Sequence, residues 1–264
     1  MQRFDKPIVE MRRIDKHYGG VHAVKNVDLD VYLGEVHGLV GDNAAGKSTL
    51  IKILSGAVTK DAGTISFDGR PVEINQPRDA KRLGIETVYQ DLALADNLDV
   101  PSNIFLGREA TRGGLLRFVL NNREMESRSR SLLSRLKINI PNIRQRVRSM
   151  SGGQRQSIAI ARCVCFNAQI VILDEPTAAL GVEETRKVYA LIREMRDQGL
   201  AVLLISHNLN HVFENCDRIT VLKTGRLVGT RRVAETSQDE ILRMILSGVA
   251  ESGPTRENAR AARA

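Results

Sequence analysis

Short apolar runs alternate with turn residues along the first third of the chain, a pattern that predicts β-strands joined by tight turns. The predicted strands are Met11–Ile14, Val27–Val31, Val36–Val40 and Thr64–Phe67. Asp68-Gly69 directly follows the last of them and is a hairpin turn signal. Residues 35–40 are predicted to be a buried strand, and the residues from Ser48 to Ala57 are predicted to form the helix after it.

The middle of the chain, from Leu98 to about Phe166, has a helical pattern instead. Apolar residues recur among basic ones from Arg123 to Leu136, and a second helical segment runs from Ser151 to Phe166. After this block the strand pattern returns. The later predicted strands are Ile170–Leu173, Ala201–Ile205 and Ile219–Leu222.

Two further helices complete the pattern. Four apolar residues at i, i+3, i+4 and i+7 predict an amphipathic helix with Gly199 as its C-cap. These residues are Val188, Leu191, Ile192 and Met195. A capping box from Ser237 to Glu240 predicts a final helix to about Leu246, and Thr224-Gly225 predicts a turn between two late strands. The alternation predicts an α/β fold: a parallel sheet with helices on both faces, interrupted by the helical block.

Composition excludes some classes of protein. No run of about 18 apolar residues is present, so no membrane-spanning segment is predicted. The N-terminal Met-Gln-Arg-Phe-Asp-Lys-Pro also lacks the apolar stretch of a signal peptide. Cys163, Cys165 and Cys216 fit neither a metal-ligand nor a disulfide pattern. We therefore expect a reduced, cytosolic environment.

The net charge of +8 is concentrated in one segment. Between Arg108 and Arg155, twelve Arg and Lys residues are opposed only by Glu109, Glu124 and Glu126. The segment has three interpretations: a solvated helical face, a surface docking on a membrane partner or anionic headgroups, and a nucleic-acid site. Nucleic acid is the weakest of the three, because aromatic residues are only 4% of the chain and it has no Trp for stacking.

A phosphate-binding motif follows the predicted buried strand. It is the run Gly41-Asp42-Asn43-Ala44-Ala45-Gly46-Lys47-Ser48-Thr49, hereafter the phosphate loop. It matches G-x-x-x-x-G-K-S between a strand and a helix. The glycines let successive backbone N–H groups point inward, and those donors bind phosphate oxygens together with the positive end of the helix. Lys47 is predicted to reach the β- and γ-phosphates, and Ser48 to offer its hydroxyl to Mg²⁺.

Two acids end a later apolar strand. In Ile170-Val-Ile-Leu-Asp174-Glu175, four apolar residues lead directly into Asp174 and Glu175. A buried strand that presents carboxylates at its C-terminal end predicts a Mg²⁺ and water site in an open α/β sheet. Asp174 is predicted to contact the Mg²⁺ shell, and Glu175 to orient and polarise the attacking water.

A second glycine loop, Met150-Ser151-Gly152-Gly153-Gln154, directly precedes a predicted helix. It offers another anion-binding helix start, although one nucleotide needs only one. This loop resembles the signature motif of ATP-binding cassette (ABC) ATPases, and the resemblance extends over roughly Val9 to Leu246. In that family the motif caps the γ-phosphate of an ATP held by the opposite subunit. The resemblance therefore implies a homodimer that encloses two ATP molecules.

The resemblance also assigns roles to single residues. Tyr18 resembles the aromatic residue that stacks on adenine, and Gln90 resembles the glutamine that contacts Mg²⁺ and the attacking water. His207 resembles the switch histidine that hydrogen-bonds the γ-phosphate. With Glu175 and His207 both present, the resemblance implies an active ATPase with ATP and Mg²⁺, in which Ser48, Gln90 and Asp174 surround the metal.

Three positions depart from the family pattern. Gly181 replaces the usual Asp of the loop after Glu175 and cannot make that residue's cross-dimer contacts. Ala44 replaces a frequent Gly, which matters only if its backbone is strained. Met150 replaces the usual Leu, a small change.

The run from Asn97 to Arg108 and the run from Thr177 to Thr185 resemble the ribose-, xylose- and fructose-type carbohydrate importers, and the second run also accounts for Gly181. This branch implies membrane permease subunits, a periplasmic sugar-binding protein and a peripheral location on the cytoplasmic face of the inner membrane, with no nucleic acid. The alternative is a soluble ABC ATPase that acts on ribosomes or nucleic acid, supported only by the basic segment.

The family fold implied is a P-loop NTPase core with a mainly parallel sheet, an antiparallel β subdomain and an inserted helical subdomain. The corresponding domain prediction is one ATPase domain over residues 1–250, with the helical subdomain at about 91–166. Residues 251–264 are predicted to be a disordered tail.

Overall fold

Two β-sheets and eight α-helices make up the described part of the chain in a computed structural model, which covers residues 6–112, 114 and 118–250. The predicted tail, 251–264, lies outside the described residues. None of the described helices has the length and apolar character needed to cross a membrane.

The larger sheet has six strands and is mainly parallel. In spatial order they are β10 (Arg226–Arg232), β9 (Arg218–Lys223), β3 (Val36–Val40), β8 (Ala201–Ile205), β7 (Ile170–Asp174) and β6 (Ile85–Val88). All neighbouring pairs run parallel except β9 and β10, which form an antiparallel hairpin. The phosphate loop and the predicted site residues Gln90, Asp174, Glu175 and His207 lie where β3, β6, β7 and β8 end, at one edge of this sheet.

Both faces of the large sheet are buried, in separate cores. Val171, Leu173 and Leu204 belong to the core that includes the helical block. Ile172 and Leu203 belong to the core shared with α1 (Lys47–Leu54) and the smaller sheet. Alternate residues of one strand thus serve opposite faces, which explains why these strands are apolar throughout.

The smaller sheet is antiparallel. Its strands, in spatial order, are β2 (Val21–Val31), β1 (Val9–Tyr18), β4 (Ala62–Phe67) and β5 (Arg70–Val72). Register shifts interrupt the pairing of β1 with β2. Arg13 and Asn26 have φ values of 50° and 51° at these irregularities. The two residues therefore form bulges, and the pairing of β1 with β2 resumes after them.

The remaining helices pack around these sheets. They are α2 (Pro77–Arg82), α3 (Val100–Ile104), α4 (Asn122–Arg135), α5 (Gly152–Val164), α6 (Val182–Asp197), α7 (Leu209–Asn215) and α8 (Gln238–Ser247). The predicted helical block thus contains α3, α4 and α5 with irregular chain between them. Ion pairs lie on the exposed side of α4. The guanidinium groups of Arg130 and Arg144 are each 2.9 Å from a carboxylate oxygen of Glu126.

The predicted fold class is confirmed: a P-loop core with a mainly parallel sheet, an antiparallel sheet and a helical insertion. The predicted bounds of β3 and β8 are those of the structure, and Gly199 follows α6 with φ 91°. Ser237 caps α8 by accepting a hydrogen bond from the N–H of Glu240, as predicted. The exact division into domains and subdomains stays a prediction.

Candidate functional site: a nucleotide-binding edge of the large sheet

The phosphate loop joins β3 to α1 and is held in a strained backbone. Gly41 has φ 147° and Gly46 has φ 97°. A Cβ on Gly46 would lie 2.6 Å from the Ala23 carbonyl oxygen, and one on Gly41 would overlap the Leu222 carbonyl oxygen. Glycine is therefore required at both positions. Ala44 has φ 63°, so the departure from glycine noted in the sequence falls on a left-handed residue and carries strain.

Lys47 folds back over this loop. Its Nζ donates hydrogen bonds to the carbonyl oxygens of Gly41, at 2.7 Å, and Asp42, at 2.9 Å. Burial lowers the pKa of Lys47, although the carboxylates of Glu175, Asp42 and Asp174 oppose that shift. Because α1 begins after glycine at its N-cap, no cap side chain occupies the helix N-terminus. The first N–H groups of α1 and the Lys47 ammonium are arranged to bind an anion.

Asn43, Ala45, Ser48 and Thr49 complete the phosphate loop and the first turn of α1. The Ala45 N–H donates to the Asp42 carbonyl oxygen at 3.1 Å, which tightens the loop. The Ala45 carbonyl oxygen accepts a hydrogen bond from the Gly225 N–H at 3.1 Å. This hydrogen bond therefore connects the phosphate loop to the turn between β9 and β10.

The two predicted carboxylates and the predicted histidine meet at the ends of neighbouring strands. Asp174 is the last residue of β7 and pairs in register with Ile205, the last residue of β8. Glu175 follows with φ 49°, and its N–H donates to the Ile205 carbonyl oxygen at 3.1 Å. His207 Nδ1 lies 2.8 Å from Glu175 Oε2, a hydrogen bond between the two side chains. The side chain of His207 is 73% exposed, so it faces the solvent side of the edge.

The carboxyl group of Asp174 lies in an electrostatically unfavourable position. Burial raises the pKa of Asp174, and the adjacent Glu175 carboxylate raises it further. Lys52 and Lys47 oppose that rise. The edge thus concentrates negative charge that a bound cation would balance.

Gln90 and Tyr18 lie on two other elements. Gln90 follows the end of β6, the strand beside β7, and is exposed. Its neighbour Tyr89 hydrogen-bonds through its hydroxyl to Ser55 Oγ at 3.1 Å. Tyr18 ends β1 and is 45% exposed, with Lys16 Nζ 5.7 Å from its ring centroid. An exposed aromatic ring in this position is free to stack on a base.

The second glycine loop forms the start of α5 and lies apart from the phosphate loop. Ser151 is the N-cap: its Oγ accepts from the Gln154 N–H at 3.3 Å, and its own N–H donates to Gln154 Oε1 at 3.1 Å. Ser151, Gly153 and Gln154 line a cavity of about 890 Å³ with residues of α6. Within the described residues, no hydrogen bond or ion pair joins this loop to the phosphate loop.

Glu184 was not singled out from the sequence, yet it links two predicted motifs. A Cβ on Gly153 would lie 2.5 Å from Glu184 Cγ, so the second glycine loop packs closely against α6. Glu184 Oε2 also accepts a hydrogen bond from the Gly181 N–H at 3.2 Å. The spacing of Glu184, three residues after the N-cap Gly181, is the signal that could have identified it.

A lysine-bearing phosphate loop before a helix, and a strand ending in two carboxylates beside it, define a P-loop nucleotide-binding ATPase. Comparison with known sequences identifies which kind of P-loop ATPase this is: residues 24–178 match the family described as ABC transporter. The chain is 46% identical to the xylose/arabinose import ATP-binding protein XylG of Sulfolobus acidocaldarius, over 91% of this chain and 94% of that protein. It is 48% identical to the fructose import ATP-binding protein FrcA of Rhizobium meliloti, over 84% of this chain and 86% of that protein.

Solved structures have the same fold. A nucleotide-free ATP-binding cassette from an ABC transporter superposes with a TM-score of 0.79 at 24% identity, covering 93% of this chain and 98% of that one. A dimeric ATP-binding cassette in a post-hydrolysis state, bound to ADP and Pi, superposes with a TM-score of 0.70 at 25% identity, covering 85% of this chain and 98% of that one. The chain belongs to the ABC transporter family, which confirms the resemblance seen in the sequence.

Proposed function

We propose that the chain is the ATP-hydrolysing subunit of an ABC importer and energises the uptake of a monosaccharide or related carbohydrate through a separate permease. The ATPase part rests on one observation above all: Glu175 and His207 are hydrogen-bonded at 2.8 Å at the strand ends that adjoin the Lys47 loop. The carbohydrate part is supported by the similarity to proteins named for xylose/arabinose and fructose import.

ATP would bind with its phosphates in the phosphate loop. The N–H groups of the loop and of α1, from Gly41 to Thr49, would surround the phosphates, and Lys47 would exchange its loop carbonyl partners for β- and γ-phosphate oxygens. The exposed ring of Tyr18 would stack on the adenine. Loss of two loop hydrogen bonds by Lys47 is compensated by charge-assisted bonds to the phosphates.

The side chains at this edge fit a Mg²⁺ ion. The Ser48 hydroxyl, the Asp174 carboxylate and the Gln90 amide carbonyl are the hard oxygen ligands that Mg²⁺ prefers. Burial and the neighbouring Glu175 carboxylate raise the pKa of Asp174, which means that its charged form is unfavourable there. A divalent cation beside Asp174 would stabilise that charged form. When bound, the ion neutralises charge that develops on the phosphate oxygens.

Hydrolysis would depend on Glu175. Its carboxylate lies at the strand end, is 21% exposed, and can accept a hydrogen bond from a water molecule placed in line with the γ-phosphate. His207 Nδ1 hydrogen-bonds one carboxylate oxygen, and with both ring nitrogens protonated its Nε2–H would donate to a γ-phosphate oxygen. Gln90 would orient the same water from the neighbouring strand end.

The second glycine loop would complete the site of another copy of the chain. Ser151, Gly152, Gly153 and Gln154 form a helix start that lies apart from the phosphate loop of their own chain and lines a separate cavity. A head-to-tail homodimer would place each such helix start against the γ-phosphate held by the partner. The similarity to a dimeric cassette supports this arrangement.

The permease would contact the surface between the large sheet and the helical block. A cavity of about 320 Å³ opens there, lined by Tyr89, Leu106, Arg108 and Phe166 among others. Arg108 is held by Glu86 of β6 at 2.8 Å and stacks over Phe166 at 4.5 Å. Movement of the Gln90 segment on hydrolysis would therefore reach this surface directly. A periplasmic sugar-binding protein would deliver the substrate on the opposite side of the membrane.

The test is complementation of sugar uptake combined with purification of the complex. Protein recovered from detergent-solubilised native membranes should carry a polytopic permease, and a sugar-loaded binding protein should stimulate its ATPase activity. Glu175→Gln should abolish uptake of the sugar in a deletion strain, whereas Glu73→Gln, which changes an exposed carboxylate 2.9 Å from Lys60 Nζ, should restore it. Recovery with ribosomes or nucleic acid, and normal uptake in the deletion strain, would contradict the importer and favour the alternative ATPase.

A further inference from the structure

The hairpin of β1 and β2 carries a cluster of ligating side chains that the nucleotide site does not use. Asp15, His17 and His22 each present one nitrogen or oxygen ligand atom, and these atoms all lie within 4.8 Å of one another. Donor atoms bound to one tetrahedral ion stand about 3.4 Å apart when the bonds are about 2.1 Å long. A rearrangement of these side chains would therefore bring the three atoms to the spacing of a metal site.

Strand pairing produces this cluster. His17 and His22 are directly paired across the antiparallel hairpin, so both side chains project from the same face. Their rings stack with centroids 3.8 Å apart at an interplanar angle of 20°, so each ring would have to turn about its Cβ–Cγ bond to direct a nitrogen lone pair toward a shared ion. The shift in register between Lys16 and His17 brings Asp15 to the same place, where its carboxylate contacts His22 Nε2.

Neighbouring groups hold these side chains in position. The second oxygen of Asp15 accepts a hydrogen bond from the Asn26 N–H at 3.0 Å. Asp61 accepts hydrogen bonds at 2.6 Å from the His17 N–H and from Lys16 Nζ. Asp61 Oδ2 also lies 3.6 Å from His17 Nδ1, so that a small rotation would let this carboxylate orient the ring. A carboxylate behind a ligating histidine is the usual outer partner of a metal site.

We propose that Asp15, His17 and His22 bind a divalent transition-metal ion of the Zn²⁺, Co²⁺ or Ni²⁺ type. Two imidazole nitrogens and one carboxylate oxygen suit these ions, whereas Mg²⁺ and Ca²⁺ prefer oxygen ligands alone. A water molecule or another small ligand would take the fourth position on the exposed side of His17. The ion would cross-link β1 to β2 immediately before Tyr18.

The direct test is titration of Zn²⁺ into untagged, EDTA-treated and nucleotide-free protein by isothermal calorimetry. One ion per chain should bind, and Co²⁺ in its place should give the visible absorption of a low-coordinate nitrogen and oxygen site. Zn²⁺ at about 100 times its Kd should raise Tm by roughly 5 °C, since only the folded hairpin holds the ligands together.

Variants locate the ion. His17→Ala and His22→Ala should each weaken Zn²⁺ binding by at least about 10-fold, and Asp61→Asn by about 10-fold through the orientation of His17. His207→Ala is the matched control, because His207 and Glu175 form a histidine–carboxylate pair away from this hairpin, with the histidine side chain exposed. That variant should bind Zn²⁺ as tightly as the wild type.

Three results would overturn the site: no stoichiometric binding by the wild type, full affinity in the double variant His17→Ala, His22→Ala, or loss of the ion in His207→Ala. An unchanged Tm of the variants in EDTA distinguishes lost ligands from a lost fold. Because the titration contains no nucleotide, its result does not depend on the ATPase assignment.

Discussion

The two glycine-containing loops of this chain both open a helix, but they are built in different ways. In the phosphate loop, Gly41 and Gly46 have positive φ and lie against backbone carbonyl groups, where no side chain fits. In the second glycine loop, both glycines have negative φ or extended backbone, and the nearest atom to an added Cβ would be a side-chain atom, Leu180 Cδ2 at 3.0 Å for Gly152 and Glu184 Cγ at 2.5 Å for Gly153. The first is a loop packed against backbone carbonyl groups, whereas the second is a capped helix start packed against side chains of α6 and the segment before it.

This difference teaches how one ATP site can be divided between two chains. The phosphate loop brings its own cation, Lys47, and lies at the strand ends that carry the two carboxylates predicted to be catalytic. The second glycine loop supplies a capped helix N-terminus but no cation of its own within its five residues. A helix N-terminus attracts an anion without enclosing it. We therefore expect the phosphate loop to determine affinity and the second glycine loop to determine turnover.

Glu175→Gln is expected to have the largest effect on kcat among the single-residue changes to the strand ends. Because this variant keeps both loops intact, it separates loss of hydrolysis from loss of ATP binding. Loss of a general base lowers kcat by about 10²–10⁴-fold, while ATP still binds in the phosphate loop. Steady-state phosphate release and nucleotide titration of the same preparation measure both quantities. Glu73→Gln, at an exposed carboxylate paired with Lys60, is the control and should keep the wild-type rate; a fully active Glu175→Gln protein would contradict the assignment.

Gly46→Ala against Gly152→Ala compares the two loops directly. The new methyl group at position 46 would lie 2.6 Å from a backbone oxygen at φ 97°, and we expect a loss of about 3 kcal/mol in unfolding free energy. At position 152 it would lie 3.0 Å from Leu180 Cδ2, a side-chain atom that can move, so the loss should stay within about 1 kcal/mol. Urea denaturation measures both; equal losses would remove the distinction between the loops.

Asp174→Asn tests the electrostatics of the phosphate-loop edge. Since the folded pKa of Asp174 is raised, the folded state binds more protons than the unfolded state between the two pKa values. Stability therefore falls as pH rises through that window, and the charged carboxylate destabilises the fold at neutral pH. Asp174→Asn should thus raise the unfolding free energy at pH 7, by no more than about 1 kcal/mol because solvent screens the group, and should flatten the pH dependence above the ordinary pKa of Asp. Lower stability of this variant at pH 7 would contradict the account.

Ala44→Gly is expected to have the smallest effect. A non-glycine residue at φ 63° costs about 1–2 kcal/mol, and glycine loses about 0.4–1 kcal/mol through its freer unfolded state. We expect a net gain of about 0.5 kcal/mol in unfolding free energy with ATP affinity unchanged. Denaturation and nucleotide titration check this, and a loss of stability would mean that Ala44 is not strained.

Strand bounds were predicted most accurately for strands that are buried on both faces, because such strands are apolar throughout. β3 and β8 are apolar runs bounded by turn residues, and their predicted bounds are those of the structure. β6 was not predicted, because Glu86 interrupts its apolar pattern and is paired with Arg108, a residue of the helical block. β1 and β2 are longer than predicted, since Arg13 and Asn26 adopt positive φ and let the pairing continue.

The candidate site could be predicted residue by residue but not as an arrangement. Motifs identified Glu175 and His207 separately, whereas their hydrogen bond depends on the pairing of β7 with β8. The cluster of Asp15, His17 and His22 depends on the register between β1 and β2. That register could not be predicted from the pattern of apolar residues. The capping position of Glu184 could have been identified from its spacing, whereas its packing against Gly153 depends on the placement of α6.

The central claim is that the two loops serve different steps, and Ser151→Arg against Lys47→Ala tests it most directly. ATP affinity of the isolated subunit and turnover of the assembled complex are measured for both variants. We predict that Lys47→Ala lowers affinity by about 10–100-fold, as expected for loss of charged hydrogen bonds, whereas Ser151→Arg abolishes turnover and leaves affinity nearly intact. If Ser151→Arg lowered affinity as much as Lys47→Ala does, the second glycine loop would belong to the ATP site of its own chain, and the two-chain account would be wrong.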